Sequence, residues 1–321
     1  MLKRFVADRE DQPGAAWLAR FHAGRDEAER WYCGEGLTAP PTAKECREAL
    51  SSHMPELVAH YDRVCALVGD DDMAHRILSH YRPSGVAGGC SQAVWLGEGG
   101  PALVRNYDYP LEVISDRFEL TNWSGRKVIG KAQRPWGGCL DGMNEDGLVA
   151  SLTFGGSRGQ GLGFSIILMV RYVLETCRAV DEAIAALRRI PVALSQNVTL
   201  LDRTGAYATL FLGPGRAPAV TALQACANHQ EELSGHQNSV LRQEKLFELL
   251  AAPAMTLPRL VAQFLEAPLY SRRAGFTTAY TAVYRPAAGR VDYLWPGKSW
   301  QHRFDQFAVG EYTHDYGDLT P

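Results

Sequence analysis

The chain has 321 residues, 46% of them hydrophobic and 21% charged, with a formal net charge of −3. That is enough material for a sizeable core, in one large domain or two smaller ones. Acidic and basic residues are interspersed, so neither nucleic acid nor a membrane surface is an expected partner.

The opening "MLKRFVADREDQPG" lacks the apolar core of about 7–15 residues that a secretory signal needs. The most apolar later stretch, "GFSIILMVRYVL", is interrupted by Arg171 short of a membrane span. A cytoplasmic location is the expectation. The seven cysteines, at 33, 46, 65, 90, 139, 177 and 226, are scattered and include no C-x-x-C pair. Reduced thiols are expected, with no disulfide framework and no metal site. Only His75 and His80 are spaced like a ligand pair, and no acidic partner motif accompanies them.

Residues 1–89 read as helical. In "TAKE", Thr42 and Glu45 fit a capping box after Pro40 and Pro41. Cys46, Leu50, Met54, Leu57, Tyr61, Val64 and Val68 then recur at spacings of three and four, one apolar helical stripe. Pro55 inside it predicts a kink or two helices. From residue 90 the texture turns to short β-type runs: "CSQAVWL", "ALVRNYDY", "LVASLTF", "NVTLLDRTGAYATLFL", "AVTALQACAN" and "TTAYTAVYRPAAGRVDYLW". Hairpins are expected at "DRTG" and "PAAG". Between the runs, "GFSIILMVRYVLETCRAVDEAIAALRRI" carries helical spacing, with Asp181 as the expected cap of its second helix, and "SVLRQEKLFELLAA" is a further helix. Strands are grouped rather than alternating with helices, which favours an antiparallel or mixed α+β sheet.

The candidate chemistry begins at "GVAGGCSQAVW", where Cys90 follows two glycines at the start of a strand. A lone cysteine there is commonly a small buried hydrophobe. However, "RNYDY" follows at a distance that a β-hairpin folds back, bringing Arg105 and Asp108 beside Cys90, and a neighbouring cation favours the thiolate. Three later segments add polar groups at element ends: "DGMNEDGLVASLTF", "ACANHQ" and "SVLRQEKL".

In this order the segments resemble the cysteine branch of the N-terminal nucleophile (Ntn) hydrolases, nearest to the isopenicillin N acyltransferase family and more distantly to penicillin V acylase and conjugated bile acid hydrolase. The resemblance implies a four-layer αββα sandwich of two antiparallel sheets. It implies a helical leader, residues 1–89, cut from a catalytic domain, residues 90–321, at the Gly89–Cys90 bond, with the two fragments staying associated. It assigns Cys90 as nucleophile with its own α-amine as base, Arg105 and Asp108 as the pair holding it, and Asn228 as an oxyanion donor. It also assigns Arg242 in the S-x-x-R-x-x-K-L helix, where Lys245 replaces a second arginine. Thr153 stands where the bile acid hydrolases carry an asparagine, so a backbone N–H near Leu152 or Thr153 is the alternative second donor. Pocket residues are expected from the loop 110–136.

An α-amine titrates near pKa 7.7–8.0 and takes the thiol proton without a histidine. His229, next to Asn228, is left as a candidate substrate contact. Gly88 and Gly89 are expected to supply a bent, strained backbone for self-cleavage. The implied activity is hydrolysis of a linear, non-peptide amide through an acyl-thioester on Cys90. Acyl-CoA-dependent N-acyl transfer is the alternative, and an unprocessed binding protein the second alternative. No cofactor is implied beyond acyl-CoA as a co-substrate. The expected ligand is a small acyl-amide or acyl-thioester, and a homo-oligomer is left open.

Overall fold

The computed structural model describes residues 1–34, 41–83, 88–133, 137–230 and 237–320. Pro40, the "GVA" before Gly88 and residues 134–136 of the expected pocket loop lie outside them.

In chain order the N-terminal part comprises β1 (Leu2–Glu10), α1 (Ala15–Ala23), α2 (Arg25–Cys33), α3 (Ala43–His53), α4 (Val58–Val68) and α5 (Asp72–Ser79). There follow β2 (Gly89–Trp95), β3 (Ala102–Tyr109), β4 (Arg117–Thr121), β5 (Val128–Gln133), β6 (Gly138–Asn144) and β7 (Val149–Phe154). Next come α6 (Ile166–Thr176), α7 (Val180–Arg189), β8 (Gln196–Leu201), β9 (Tyr207–Leu212), β10 (Ala219–Thr221) and β11 (Ala225–Cys226). The chain closes with α8 (Gln237–Ala251), α9 (Leu257–Phe264), β12 (Arg272–Arg273), β13 (Phe276–Arg285), β14 (Arg290–Trp295), β15 (Lys298–Arg303) and β16 (Gly310–Asp315).

The strands form a nine-stranded sheet, ordered β10-β9-β8-β7-β6-β5-β4-β1-β16, and a seven-stranded one, ordered β11-β2-β3-β13-β14-β15 with β12 on β13. Inner faces pack together, with β2 against β7. Helices α6 and α7 cover the outer face of the first sheet, and α8 and α9 cover that of the second. This is the expected αββα sandwich. It departs from two purely antiparallel sheets in one ladder, because β1 runs parallel to β4.

That ladder also corrects the helical reading of residues 1–89, since residues 2–10 are a strand inside the main sheet. Only Phe5 and Ala7 face inward, among five charged neighbours, so the alternation is too short to register in the sequence. Phe5 nevertheless stacks on Phe118 at 5.7 Å and meets Trp295 at 5.0 Å. The Thr42–Glu45 capping box is present, and Pro55 separates α3 from α4 through a 3₁₀ turn. Both hairpins form, joining β8 to β9 and β13 to β14.

Asp181 is not the cap of α7: it lies in the first turn, Ala179 is the cap residue, and Asp202 of the β8–β9 turn accepts from Val180 N at 3.3 Å. The run 219–228 divides between the two sheets as β10 and β11. The segment 110–136 is not one loop, because it contains β4 and β5. Among the described residues no helix is long and apolar enough to cross a membrane.

Candidate active site

Strand alternation decides which side chains meet at Cys90. In the β2–β3 ladder Cys90 pairs with Tyr107 and Gln92 with Arg105, so all four point into the sandwich interior. Gly89 pairs with Asp108 and Ser91 with Asn106, and these face the helical layer. Arg105 and Asp108, three residues apart, therefore approach Cys90 from opposite faces.

On the inner face, Arg105 Nη2 donates to Cys90 Sγ at 3.0 Å. Its Nη1 donates to Asp141 Oδ2 at 2.6 Å and to the Leu140 carbonyl at 3.2 Å. On the helix face, Arg242 of α8 donates from Nη1 to the Cys90 carbonyl at 2.7 Å and to Ser91 Oγ, and pairs with Asp108 Oδ2 at 3.5 Å. Thr278 Oγ1 donates to Asp108 Oδ1 at 2.7 Å.

Asn228 follows β11, the edge neighbour of β2. Its Oδ1 accepts from Cys90 N at 2.8 Å and from Arg242 Nη2 at 2.8 Å. Two N–H donors on one atom fix the orientation of the amide and leave Nδ2, buried and without a hydrogen-bond partner among the described residues, as a spare donor. Ser239 Oγ accepts from Asn228 N at 2.6 Å and contacts His229 Nδ1 at 2.8 Å, which occupies the histidine ring.

Burial pushes the Cys90 thiol above its ordinary value, and Arg105 pulls it back. The expected thiolate-favouring cation is in contact, but in the uncut chain desolvation outweighs it. Burial likewise raises the Asp108 carboxyl, against Arg242 and Thr278.

The remaining expectations divide. The Thr153 hydroxyl is not brought to Cys90: Oγ1 donates to the Ala227 carbonyl at 2.6 Å and accepts from Asn197 Nδ2 at 3.1 Å. It braces the peptide before Asn228, while its neighbours Leu152 and Phe154 line the cavity at Cys90. Lys245 is at the surface, paired with Glu248 at 3.7 Å. Neither Gly88 nor Gly89 has a positive φ, so the expected strained bend is absent. What calls for glycine is space: a Cβ on residue 89 would lie 2.1 Å from the Phe276 ring, and one on residue 88 would lie 3.3 Å from Tyr109. Asp141, the first residue of "DGMNEDGLVASLTF", and the tyrosines that hold it are not among the residues expected at Cys90.

Two spaces, their volumes here counted with the solvent open at their mouths, meet at Gly88, Tyr109 and Phe154. One, of about 700 Å³, reaches Cys90 and is lined by apolar and aromatic side chains including Leu140, Phe164 and Ile167. Trp31 of α2 and Pro83, both from the N-terminal part, also line it, and within the 110–136 segment Gln133 does. The other, of about 1080 Å³, is a polar cleft with Asn228, Asn238, Ser239, Arg158 and Arg242. No group of three or more His, Cys, Asp or Glu among the described residues is placed to hold a metal.

Among solved structures the chain is similar to a mutant of conjugated bile acid hydrolase from Clostridium perfringens, at 11% identity and a TM-score of 0.45, covering 71% of this chain and 97% of that one. Penicillin V acylase from Agrobacterium tumefaciens is similar at 15% identity and a TM-score of 0.45, over 69% and 90% of the two chains. A Caenorhabditis elegans N-acylethanolamine-hydrolyzing acid amidase ortholog is similar at 18% identity and a TM-score of 0.45, over 62% and 93%. No curated protein sequence matches the chain. The sequence profile of one family, described as acyl-coenzyme A:6-aminopenicillanic acid acyl-transferase, matches residues 95–300. That stretch begins just past Cys90 and runs through strands of both sheets. On this match the chain belongs to the acyl-coenzyme A:6-aminopenicillanic acid acyl-transferase family.

Proposed function

We propose that the protein cuts its own Gly89–Cys90 bond and then acts, through an acyl-thioester on Cys90, as an amidohydrolase on a linear, non-peptide amide. The observation that carries this reading is the pairing of Cys90 N with Asn228 Oδ1, which leaves Asn228 Nδ2 without a partner among the described residues, beside the strand that bears the sulfur.

In self-cleavage the Cys90 thiol adds to the Gly89 carbonyl carbon and the C–N bond breaks. The nitrogen takes up the thiol proton and becomes the α-amine, and water then opens the thioester to a Gly89 carboxylate. Asn228 Oδ1 and the Cys90 carbonyl, itself held by Arg242, keep the new amine where the amide nitrogen stood. In turnover that amine accepts the thiol proton as sulfur adds to the substrate carbonyl, and returns it to the departing amine. Asn228 Nδ2 donates to the developing oxyanion, a contact typically worth about 2.7–4 kcal/mol. The apolar cavity suits the acyl group, and the polar cleft suits the leaving amine and the incoming water.

Acyl transfer to an amine, with acyl-CoA as donor, is the second reading. The family description favours it, as does Arg158, exposed at the cleft. Intact mass spectrometry tests both readings. The expected result is two fragments divided before Cys90, with Cys90→Ala remaining a single chain of 35.3 kDa. A single 35.3 kDa species for parent and variant alike, with no product from acyl-amides with or without added amine, would establish an unprocessed binding protein instead.

A further inference from the structure

The Arg105 guanidinium is fully buried, and while its Nη2 donates to Cys90 Sγ, a charged group from the opposite sheet holds its other terminal nitrogen. That group is Asp141 on β6, which accepts from Arg105 Nη1 at 2.6 Å across the sandwich interior. Tyr280 donates to Asp141 Oδ2 at 2.6 Å, and Tyr284 donates to Oδ1. Both tyrosines lie on β13, two strands from Cys90 in the same sheet. Asp141, Arg105 and both tyrosines are fully buried. Every lone-pair direction of the carboxylate that these contacts use is directed by packing, so the Arg105 fork has one orientation available.

We propose that Asp141 is a positioning residue for Cys90: it aims Arg105 Nη2 at the sulfur and draws off part of the guanidinium charge, so that the thiol feels a tempered cation. This rests on the reading of Cys90 as the reactive thiol, but its test does not need turnover. The groups facing Cys90 are Arg105 and Tyr107 on β3, Asp108 and Arg242 on the helix side, Cys226 on β11 and, once the Gly89–Cys90 bond is cut, its own α-amine, which is common to the parent and every variant below. Those facing Asp141 are Arg105, Tyr107, Tyr280, Tyr284, Tyr293, Cys139 and Lys131. Lys131 is its register partner on β5, and burial pushes that amine down to about 7. Asp141 therefore reaches the thiol through Arg105.

The test is the pH dependence of Cys90 alkylation by iodoacetamide in the full protein, followed on the Cys90 peptide by mass spectrometry. Asp141→Asn keeps an acceptor for Arg105 but removes the charge. The midpoint of alkylation is expected to move down by about one pH unit, roughly tenfold in rate at a fixed pH below it. Tyr284→Phe removes one donor from the carboxylate while leaving Asp141 and Arg105 in place. It strengthens the negative field on Arg105, and the midpoint is expected to move up. The same shifts in a Lys131→Met background exclude titration of that lysine as their source. An unchanged midpoint in Asp141→Asn overturns the proposal. If that variant does not fold, an unchanged midpoint in Tyr284→Phe overturns it. Absence of Cys90 alkylation in the parent at any pH would instead defeat the reading of Cys90 as the reactive thiol.

Discussion

Gly89 stands where a ring presses on the backbone rather than where the backbone turns left-handed, and this changes what a substitution there does. An alanine methyl would sit 2.1 Å from Phe276 ring carbons, so ring or strand must move. Overpacking of this kind costs about 1–3 kcal/mol, which slows self-cleavage by about five- to 150-fold if it falls on the cleavage step. Because the obstacle is one side chain, Phe276→Ala in the Gly89→Ala background is expected to restore cleavage, read as the fraction cut over time by intact mass. Loss that the second substitution does not repair would place the requirement in the backbone instead. The sequence could suggest that residue 89 needs a glycine, but not why, since Phe276 is distant in the chain. Arg105 and Asp108 were legible for the opposite reason: a hairpin links them to Cys90 locally. Asp141 was not, because its partner comes from the other sheet, 36 residues away in the chain.

Among the elements, those whose apolar residues keep a clean period were readable, β3 and α6 included although they bury charge, while β4 and β5, with shorter apolar runs around their charges, were not. β5, "VIGKAQ", is buried along its whole length yet carries Lys131, and β4 carries Glu119, so the segment 110–136 reads as a polar loop. Helix ends show the same limit. Thr42 caps α3 through its own neighbours, with Glu45 N donating to Thr42 Oγ1 at 3.2 Å and Thr42 N to Glu45 Oε2 at 2.7 Å. The start of α7 is closed partly from outside, where Asp202 accepts from Val180 N, and partly by its own first turn, where Glu182 Oε2 accepts from Arg178 N at 2.7 Å. Thr42→Ala is expected to cost about 1 kcal/mol. Asp181→Ala removes only a favourable charge from the first turn, about 0.3 kcal/mol. Asp202→Ala, which also strips bonds from Thr204 N and Oγ1, should cost more than either, about 1–2 kcal/mol. Urea midpoints in a Cys90→Ala background, where the chain stays whole, would rank the three. Asp181→Ala matching Thr42→Ala would return the capping role to Asp181.

At the scale of the whole molecule, the N-terminal part is woven into the body that carries Cys90. β1 lies between β4 and β16, pairing Val6–Glu10 with 117–121 and Leu2–Ala7 with 310–315. Removing it would leave two unpaired strand edges inside the larger sheet. Trp17, Phe21 and Tyr32 are buried in the same core cluster as Cys90, and Tyr172 of α6 donates to Glu56 at 2.7 Å. Trp31 and Pro83 form part of the wall of the apolar cavity itself. A cut before Cys90 breaks one covalent bond and none of these contacts. The two fragments are therefore expected to co-elute from gel filtration at the size of the intact chain, to separate only in denaturant, and to lose acyl-amide turnover together when separated. Trp31→Ala, with the fragments still joined by β1, should change which acyl groups are accepted without releasing the N-terminal fragment. Elution of that fragment alone in native buffer, with turnover retained by the remainder, would show that β1 and the cavity wall are dispensable and that the larger fragment is complete by itself.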